Sequence, residues 1–448
     1  MFRKVLIANR GEIAIRVLRA CRELGAATVA VVSEADRDSL HALLADEVVC
    51  VGPAASADSY LNMQNILSAA LNTGAQAIHP GYGFLSENAE FAEVCRRCGL
   101  AFIGPEAESI RLMGDKSAAK ATMKRCGVPT IPGSDGEVAT LEAAQATADA
   151  VGYPVLIKAS AGGGGRGIRR ADNAAELKTA FAQAAEEARK YFGGGGLYIE
   201  KLLTGAKHVE IQILADPLGD TVYLGERDCS MQRRKQKMIE ETPCSSLSEE
   251  QRRSMGEAAV RAAKAVNYVN AGTVEFLLAP TGEFYFMEMN TRIQVEHPIT
   301  EMATGIDLVK AQIRIAAGER LGFTQRDIHP RGHAIECRVN AESPEHGFRP
   351  SSGTVAELHV PGGFNIRFDS QLYQGYTLPP HYDSMIGKLI VLDDTRENAT
   401  AKMRCALSEL IVDGIDTNIN FQHKLVSSPE FARGQYTTDT VEQLLNKR

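Results

Sequence analysis

The first hundred residues alternate between short apolar runs and amphipathic stretches, and few folds accept that pattern. Val5-Leu6-Ile7-Ala8 reads as a buried strand. Ile13, Val17, Leu18, Cys21 and Leu24 recur at helical spacing, and after Gly25 a second strand runs from Thr28 to Val32. Further strands are predicted at Val48-Val51, Ala77-His79 and Leu100-Ile103, with helices around 60–72 and 88–98 between them. Strands that alternate with helices form a parallel sheet covered by those helices, so a Rossmann-like α/β domain is expected here. A dinucleotide site would need GxGxxG after the first strand. Asn9-Arg10-Gly11-Glu12-Ile13 stands there instead, which disfavours NAD binding.

A predicted helix around 107–126 leads into Val128-Pro129-Thr130-Ile131-Pro132-Gly133, a Pro/Gly-rich boundary. Beyond it come a helix at 141–150, a strand ending at Lys158, and two glycine runs, at 162–165 and 193–196. The expected division is 1–113 as the N-terminal α/β domain, 114–133 as linker helix and boundary, 134–203 as a glycine-rich domain and 204–448 as a C-terminal domain. The 448 residues have room for three such cores.

Composition removes several classes of function. With 49 Lys+Arg against 56 Asp+Glu the net charge is −7, which gives no electrostatic footprint for nucleic acid or an anionic membrane. Nine scattered cysteines suggest a reduced, cytoplasmic protein. Cys95 and Cys98 form half a zinc motif with no second pair at ribbon spacing. No stretch approaches the apolar length of a membrane span.

Consecutive glycines after Lys158 let backbone N–H groups turn toward an oxyanion without Cβ obstruction. Gly167 is followed by Ile168-Arg169 and not by Lys-Ser/Thr, so this is a phosphate cover of a kind other than the P-loop. A flexible linker would be polar on both sides rather than flanked by strands.

Between two apolar strands, Pro280-Thr281-Gly282-Glu283 reads as a turn. A two-residue loop at Thr281-Gly282 would set Glu275 opposite Glu288. Two buried carboxylates facing each other repel, and a divalent cation between them removes the conflict. If Asn290-Thr291-Arg292-Ile293-Gln294-Val295-Glu296-His297 continues extended, Arg292, Gln294 and Glu296 share one face. A cation, an amide and a carboxylate there could hold a small planar anion and remove its proton. The run Glu226 to Lys237 is either a solvated face or an anion site, and spacing does not decide between them.

Several motifs together carry a resemblance. Ala8-Asn9-Arg10-Gly11-Glu12-Ile13-Ala14, His79-Pro80-Gly81-Tyr82-Gly83-Phe84-Leu85-Ser86-Glu87-Asn88, the Lys158 glycine loop, Arg227-Asp228-Cys229-Ser230, the 288–297 segment and Asp383-Ser384-Met385 closely resemble the biotin carboxylases, which are ATP-grasp enzymes. The resemblance spans essentially the whole chain. It implies an N-terminal Rossmann-like domain, an ATP-grasp lid and a C-terminal domain, with ATP between the last two. Lys116, Lys158, Glu200, Lys201, Leu203, His208 and Gln232 would contact ATP, and Gly163, Gly164 and Gly165 would cover its phosphates. Glu275, Glu288 and Asn290 would hold Mg2+ or Mn2+. Arg292, Gln294 and Val295 would bind bicarbonate, with Glu296 as general base. Lys237 would offset charge on the transferring phosphoryl group, Arg338 would face the biotin enolate, and Tyr82 and Gly83 would line the biotin pocket.

Two positions depart from the family pattern. Ala161 stands where the glycine run often begins, and Lys235 replaces a common His. The implied activity is ATP- and bicarbonate-dependent carboxylation of biotin, usually by a homodimer. No Met-Lys-Met acceptor segment occurs, so the biotin is expected on a separate carrier protein serving carboxyltransferase subunits. Acetyl-CoA carboxylase, and hence fatty acid synthesis, is the first expectation. Pyruvate or propionyl-CoA carboxylase is the alternative. A purine-pathway ATP-grasp enzyme would lack the Arg292 to Glu296 pattern and Arg338, and a silent nucleotide-binding subunit would have lost Glu296, Lys237 or a metal glutamate.

Overall fold

The computed structural model describes residues 1–159, 168–192 and 196–446. The chain divides into two compact units. One comprises Met1–Gly114, Lys207–Glu275 and Met289–Arg448, and the other Asp115–Ala206 with Phe276–Glu288.

The first unit opens with the expected parallel sheet. Its strands, β1 (Lys4–Ile7), β2 (Ala27–Ser33), β3 (Glu47–Gly52), β4 (Ala77–His79) and β5 (Ala101–Phe102), lie in the order β3-β2-β1-β4-β5, and every neighbouring pair is parallel. The helix Gly11–Glu23 buries Ile13, Val17, Leu18 and Cys21 against the core, as its periodicity predicts. Each such aliphatic side chain contributes about 1.5–3 kcal/mol. The sheet order reverses between β1 and β4, and in open α/β sheets ligand-binding loops collect beyond the strand ends at such a point. The loops leaving both strands are tied there: Asn9 Nδ2 donates to the carbonyls of Pro80 (2.7 Å) and Tyr82 (2.8 Å).

The C-terminal part is built on an eight-stranded sheet. From one edge its order is Phe284–Asn290, Asn270–Leu278, Lys207–Ala215, Thr221–Arg233, Gln236–Thr242, His333–Asn340, Met385–Asp393 and Ile366–Ser370. The five pairings from Lys207–Ala215 through Ile366–Ser370 are antiparallel.

In the second unit, a three-stranded antiparallel sheet runs in the order Ile168–Ala171, Val155–Ala159, Leu197–Lys201. Strand alternation sends Val155, Ile157, Leu197 and Ile199 into a core with Ala144, Ala148, Leu177 and Ala184 of the helices Leu141–Val151 and Ala174–Phe192. The opposite parity carries Lys158, Tyr198 and Glu200.

Three expectations are corrected. The helix predicted over 107–126 is two helices, Ala107–Gly114 and Lys116–Arg125. Asp115 caps the second by accepting from the Ser117 and Ala118 amides, at 2.9 and 3.0 Å. The hairpin turn is wider than two residues: Gly282 N donates to Ala279 O, and Ala279 N to Glu283 O, closing a three-residue loop with Gly282 at φ 99°. Near the turn the pairing is therefore one residue out of the expected register. Finally, residues 291–296 are not extended. The strand ends at Asn290, and Glu296 is already the N-cap of the helix His297–Thr304, with φ −80° and ψ 13°.

Candidate active site

The first unit gathers most of the expected site residues around one partly buried lysine. Lys237 is the second residue of the strand Gln236–Thr242, just past the tight turn at Arg234 and Lys235, both of which have positive φ. Its Nζ donates to Glu210 (2.6 Å), Glu296 (2.7 Å) and Glu275 (3.0 Å). Glu210 and Glu296 are fully buried and Glu275 nearly so. Burial alone would lower the Lys237 pKa, but the three carboxylates outweigh it and hold the ammonium charged.

Glu296 also accepts from Arg338 at 2.9 Å through its other oxygen. Burial pushes its carboxyl upward, but Lys237, Arg338 and Arg227 overcome this and keep it ionised well below the ordinary carboxylate range. Arg227 is fully buried, donating to Glu210 (2.5 Å), Gln212 (2.7 Å) and Thr300 (2.9 Å). The charge run of 226–237 is thus largely an interior wall, with only its turn solvated.

Glu275 anchors the other side. Its Oε1 accepts from Asn290 Nδ2 and Gln294 Nε2, both at 2.9 Å, and His208 Nε2 lies 2.9 Å from Oε2 without hydrogen-bond alignment. Arg292 donates to Gln294 (2.9 Å), Asn290 (3.0 Å) and Glu87 (2.9 Å). Arg292, Gln294 and Glu296 therefore converge through a turn and a shared ion network, not along a strand face. The Val295 carbonyl accepts from Lys388 Nζ at 2.8 Å, and Lys388 also pairs with Glu12 at 3.1 Å. Glu12 in turn accepts the Tyr82 hydroxyl. Gly83 is exposed with φ 68°, and Gln232 is buried opposite Lys237 across the hairpin.

The second unit carries the remaining candidates. Glu200 accepts from Lys120 (3.0 Å) and from Lys158. Burial raises the Glu200 carboxyl, yet the two lysines bring it below its ordinary value. Lys201 donates to the carbonyls of Gly152 (2.9 Å) and Tyr153 (2.8 Å), which commits its amine to the chain's own backbone. Lys116 is exposed on the first turn of its helix, Leu203 is half-buried and Glu288 is exposed. Gly163, Gly164 and Gly165 lie outside the described residues.

Glu275 offers carboxylate oxygens and Asn290 an amide oxygen, hard donors of the kind that suit Mg2+ or Mn2+, and the exposed Glu288 of the second unit offers a carboxylate of the same kind. Burial raises the Glu275 carboxyl, but Lys237 and His208 hold it well below the ordinary range, in the ionised form a metal requires. Amid Glu210, Glu275 and Glu296 the Lys237 ammonium already supplies the positive charge.

Sequence reasoning missed Glu210, Glu240, Lys388, Glu87 and Lys120. A signal was present for two of them. Glu210 interrupts Val209 and Ile211, and Lys388 is a lone cation within Ile386-Gly387-Lys388-Leu389-Ile390. A charge inside an apolar strand must find a partner.

The chain matches three family descriptions: biotin carboxylase, N-terminal domain, over residues 1–110; carbamoyl-phosphate synthase L chain, ATP binding domain, over 115–324; and biotin carboxylase C-terminal domain over 336–443. A biotin carboxylase of Nostoc sp. is 56% identical over 443 residues, covering 99% of each chain. Among solved structures, the biotin carboxylase domain dimer of Hydrogenobacter thermophilus 2-oxoglutarate carboxylase, in complex with MgADP, ADP and bicarbonate, superposes with a TM-score of 0.91. It is 51% identical and covers 100% of this chain and 98% of that one. The biotin carboxylase of Campylobacter jejuni, solved as a β-γ-ATP complex, gives a TM-score of 0.93 at 47% identity, covering 99% of both chains.

Proposed function

The chain belongs to the biotin carboxylase family, and from that premise we propose that it carboxylates biotin at the expense of ATP and bicarbonate, through carboxyphosphate. The observation that carries this reading is Glu296, ionised and fully buried between Lys237 and Arg338.

In the proposed sequence, Arg292, Gln294 and Val295 hold bicarbonate and Glu296 takes its proton. A carboxylate braced by two cations is a weak base. Its basicity rises when the entering anions draw Lys237 and Arg338 toward themselves. Lys237 then offsets the charge growing on the transferring phosphoryl group. Arg338, released from Glu296 as that residue is protonated, is free to face the enolate oxygen of biotin. Tyr82 and Gly83 line the biotin pocket, with Tyr82 fixed through Glu12. ATP is assigned to Lys116, Lys158, Glu200, Lys201, Leu203, His208 and Gln232, with Gly163, Gly164 and Gly165 of the 134–203 lid over its phosphates. Glu275, Glu288 and Asn290 are the assigned ligands of Mg2+ or Mn2+, which when bound supplies Lewis-acid neutralisation of the phosphate oxygens.

Biotin reaches this site on a separate carrier protein, and the carboxyl group goes on to carboxyltransferase subunits. The favoured setting is a cytoplasmic homodimer within acetyl-CoA carboxylase, feeding fatty acid synthesis. Among the described residues no helix is long and apolar enough to cross a membrane.

The test is ATP hydrolysis by the purified chain with and without bicarbonate and free biotin. Hydrolysis that needs bicarbonate and rises with biotin supports the reading. Nucleotide binding without hydrolysis would instead indicate a silent subunit.

A further inference from the structure

Glu336 is fully buried, and both of its carboxyl oxygens lack any hydrogen-bond partner. The antiparallel register sets it directly opposite Glu240, which is also fully buried and has one unpartnered oxygen. Directly opposed side chains in such a pair have Cβ atoms about 4.5–5.5 Å apart, and like charges there are destabilising. The other oxygen of Glu240 accepts from Arg338 Nε at 2.6 Å. Arg338 is thus shared between Glu240 and the general base Glu296.

We propose that Glu240 and Glu336 together carry a single proton, held on Glu336, and act as a positioning pair for Arg338, with ionised Glu240 anchoring the guanidinium. The inference rests on the reading of Arg338 as the group that faces biotin. A single negative charge on the pair holds Arg338 in place and leaves it cationic toward the enolate. A second one would bind it too tightly to turn.

The surrounding charges agree. Facing Glu336 are Lys388 from the neighbouring strand, Arg338 on its own strand, Glu240 across the pair and Glu296 at the start of the helix His297–Thr304. Tyr82 and Cys337 are also close enough to feel its charge. Around Glu240 stand Arg338, Glu296 and Lys237, with Cys229 nearby. Burial raises Glu240 to about 7 and Glu336 well above its ordinary range, against the pull of Arg338 and Lys388. Lys388 is engaged by Val295 O and Glu12, and no hydrogen bond from it reaches Glu336.

Two readouts test the pair on the full chain. Infrared titration should show a protonated-carboxyl carbonyl band that persists at neutral pH, fades at alkaline pH and is absent in Glu336→Gln. In parallel, kcat/KM for free biotin should fall on the alkaline side, by up to about tenfold per pH unit, and that limb should move to higher pH in Glu336→Gln. Should that variant fail to fold, Glu240→Gln serves, since Glu336 alone beside Lys388 and Arg338 would ionise and its band move to lower pH. If wild-type enzyme carboxylates biotin yet shows no such band, or the band and the alkaline limb are unchanged in the variants, the pair is not as proposed and the assigned activity still stands. Absence of biotin carboxylation in the wild type would instead overturn the activity on which the inference rests.

Discussion

Lys237 is the residue on which most of the site's charge balance depends. Replacing it with Met leaves Glu210, Glu275 and Glu296 buried around an apolar side chain. Removing one partner of a buried ion pair costs about 3–5 kcal/mol. Lys237→Met should therefore lower the thermal midpoint measurably and abolish bicarbonate-dependent ATP hydrolysis, with calorimetry and a coupled assay as the checks. The same carboxylates set the acid limit. Glu275, Glu296 and Asp369 all have folded-state pKa values held below their unfolded ones by adjacent cations. Their stabilisation is complete above the unfolded carboxylate value, about 4, and is lost as pH falls through the folded values. Unfolding midpoints should be flat above that point with respect to these groups and drop below it. At this scale the sequence was informative about identity and poor about partnership. Arg292, Gln294 and Glu296 were legible as a set, but the side chains bracing them come from positions as distant as Glu87 and Lys237. No local spacing encodes such contacts.

Among the elements, those with a strong period were legible and those set by a cap or a turn were not. The helix Gly11–Glu23 and the strands β1 to β4 stand within a residue or two of where apolar periodicity puts them. The break at Asp115 was hidden because Ala-rich and charged residues on both sides keep a helical pattern, while the cap is a side-chain bond to two amides. Asp115→Ala should cost about 1 kcal/mol and accelerate amide exchange across the helix Lys116–Arg125. The wider hairpin turn likewise depends on Gly282 taking a positive φ, which apolar patterning does not report. In the loop after β4, Gly81 has φ 61°, and a Cβ there would stand 2.9 Å from Asn9 Nδ2. Gly81→Ala should break the Asn9 bridge to Pro80 and Tyr82 and raise KM for biotin severalfold, with KM for ATP less affected.

For the molecule as a whole, the parallel sheet, the glycine-rich ATP-grasp region and a C-terminal domain were expected from the sequence, while the eight-stranded sheet of the C-terminal part was not. The division of the chain was less legible, because the second unit takes both Asp115–Ala206 and the hairpin Phe276–Glu288. An element that returns from a distant point in the chain leaves no composition boundary to read. The central claim is that this assembly of buried charge moves the carbon of bicarbonate onto biotin, with Glu296 taking the proton. Its most direct test supplies isotopically labelled bicarbonate, ATP, Mg2+ and free biotin to the wild type and to Glu296→Gln, and measures label in carboxybiotin. Label should appear in biotin with the wild type and fall by about 10²–10⁴-fold in the variant. Equal labelling by both proteins, or none by the folded wild type, would contradict the account.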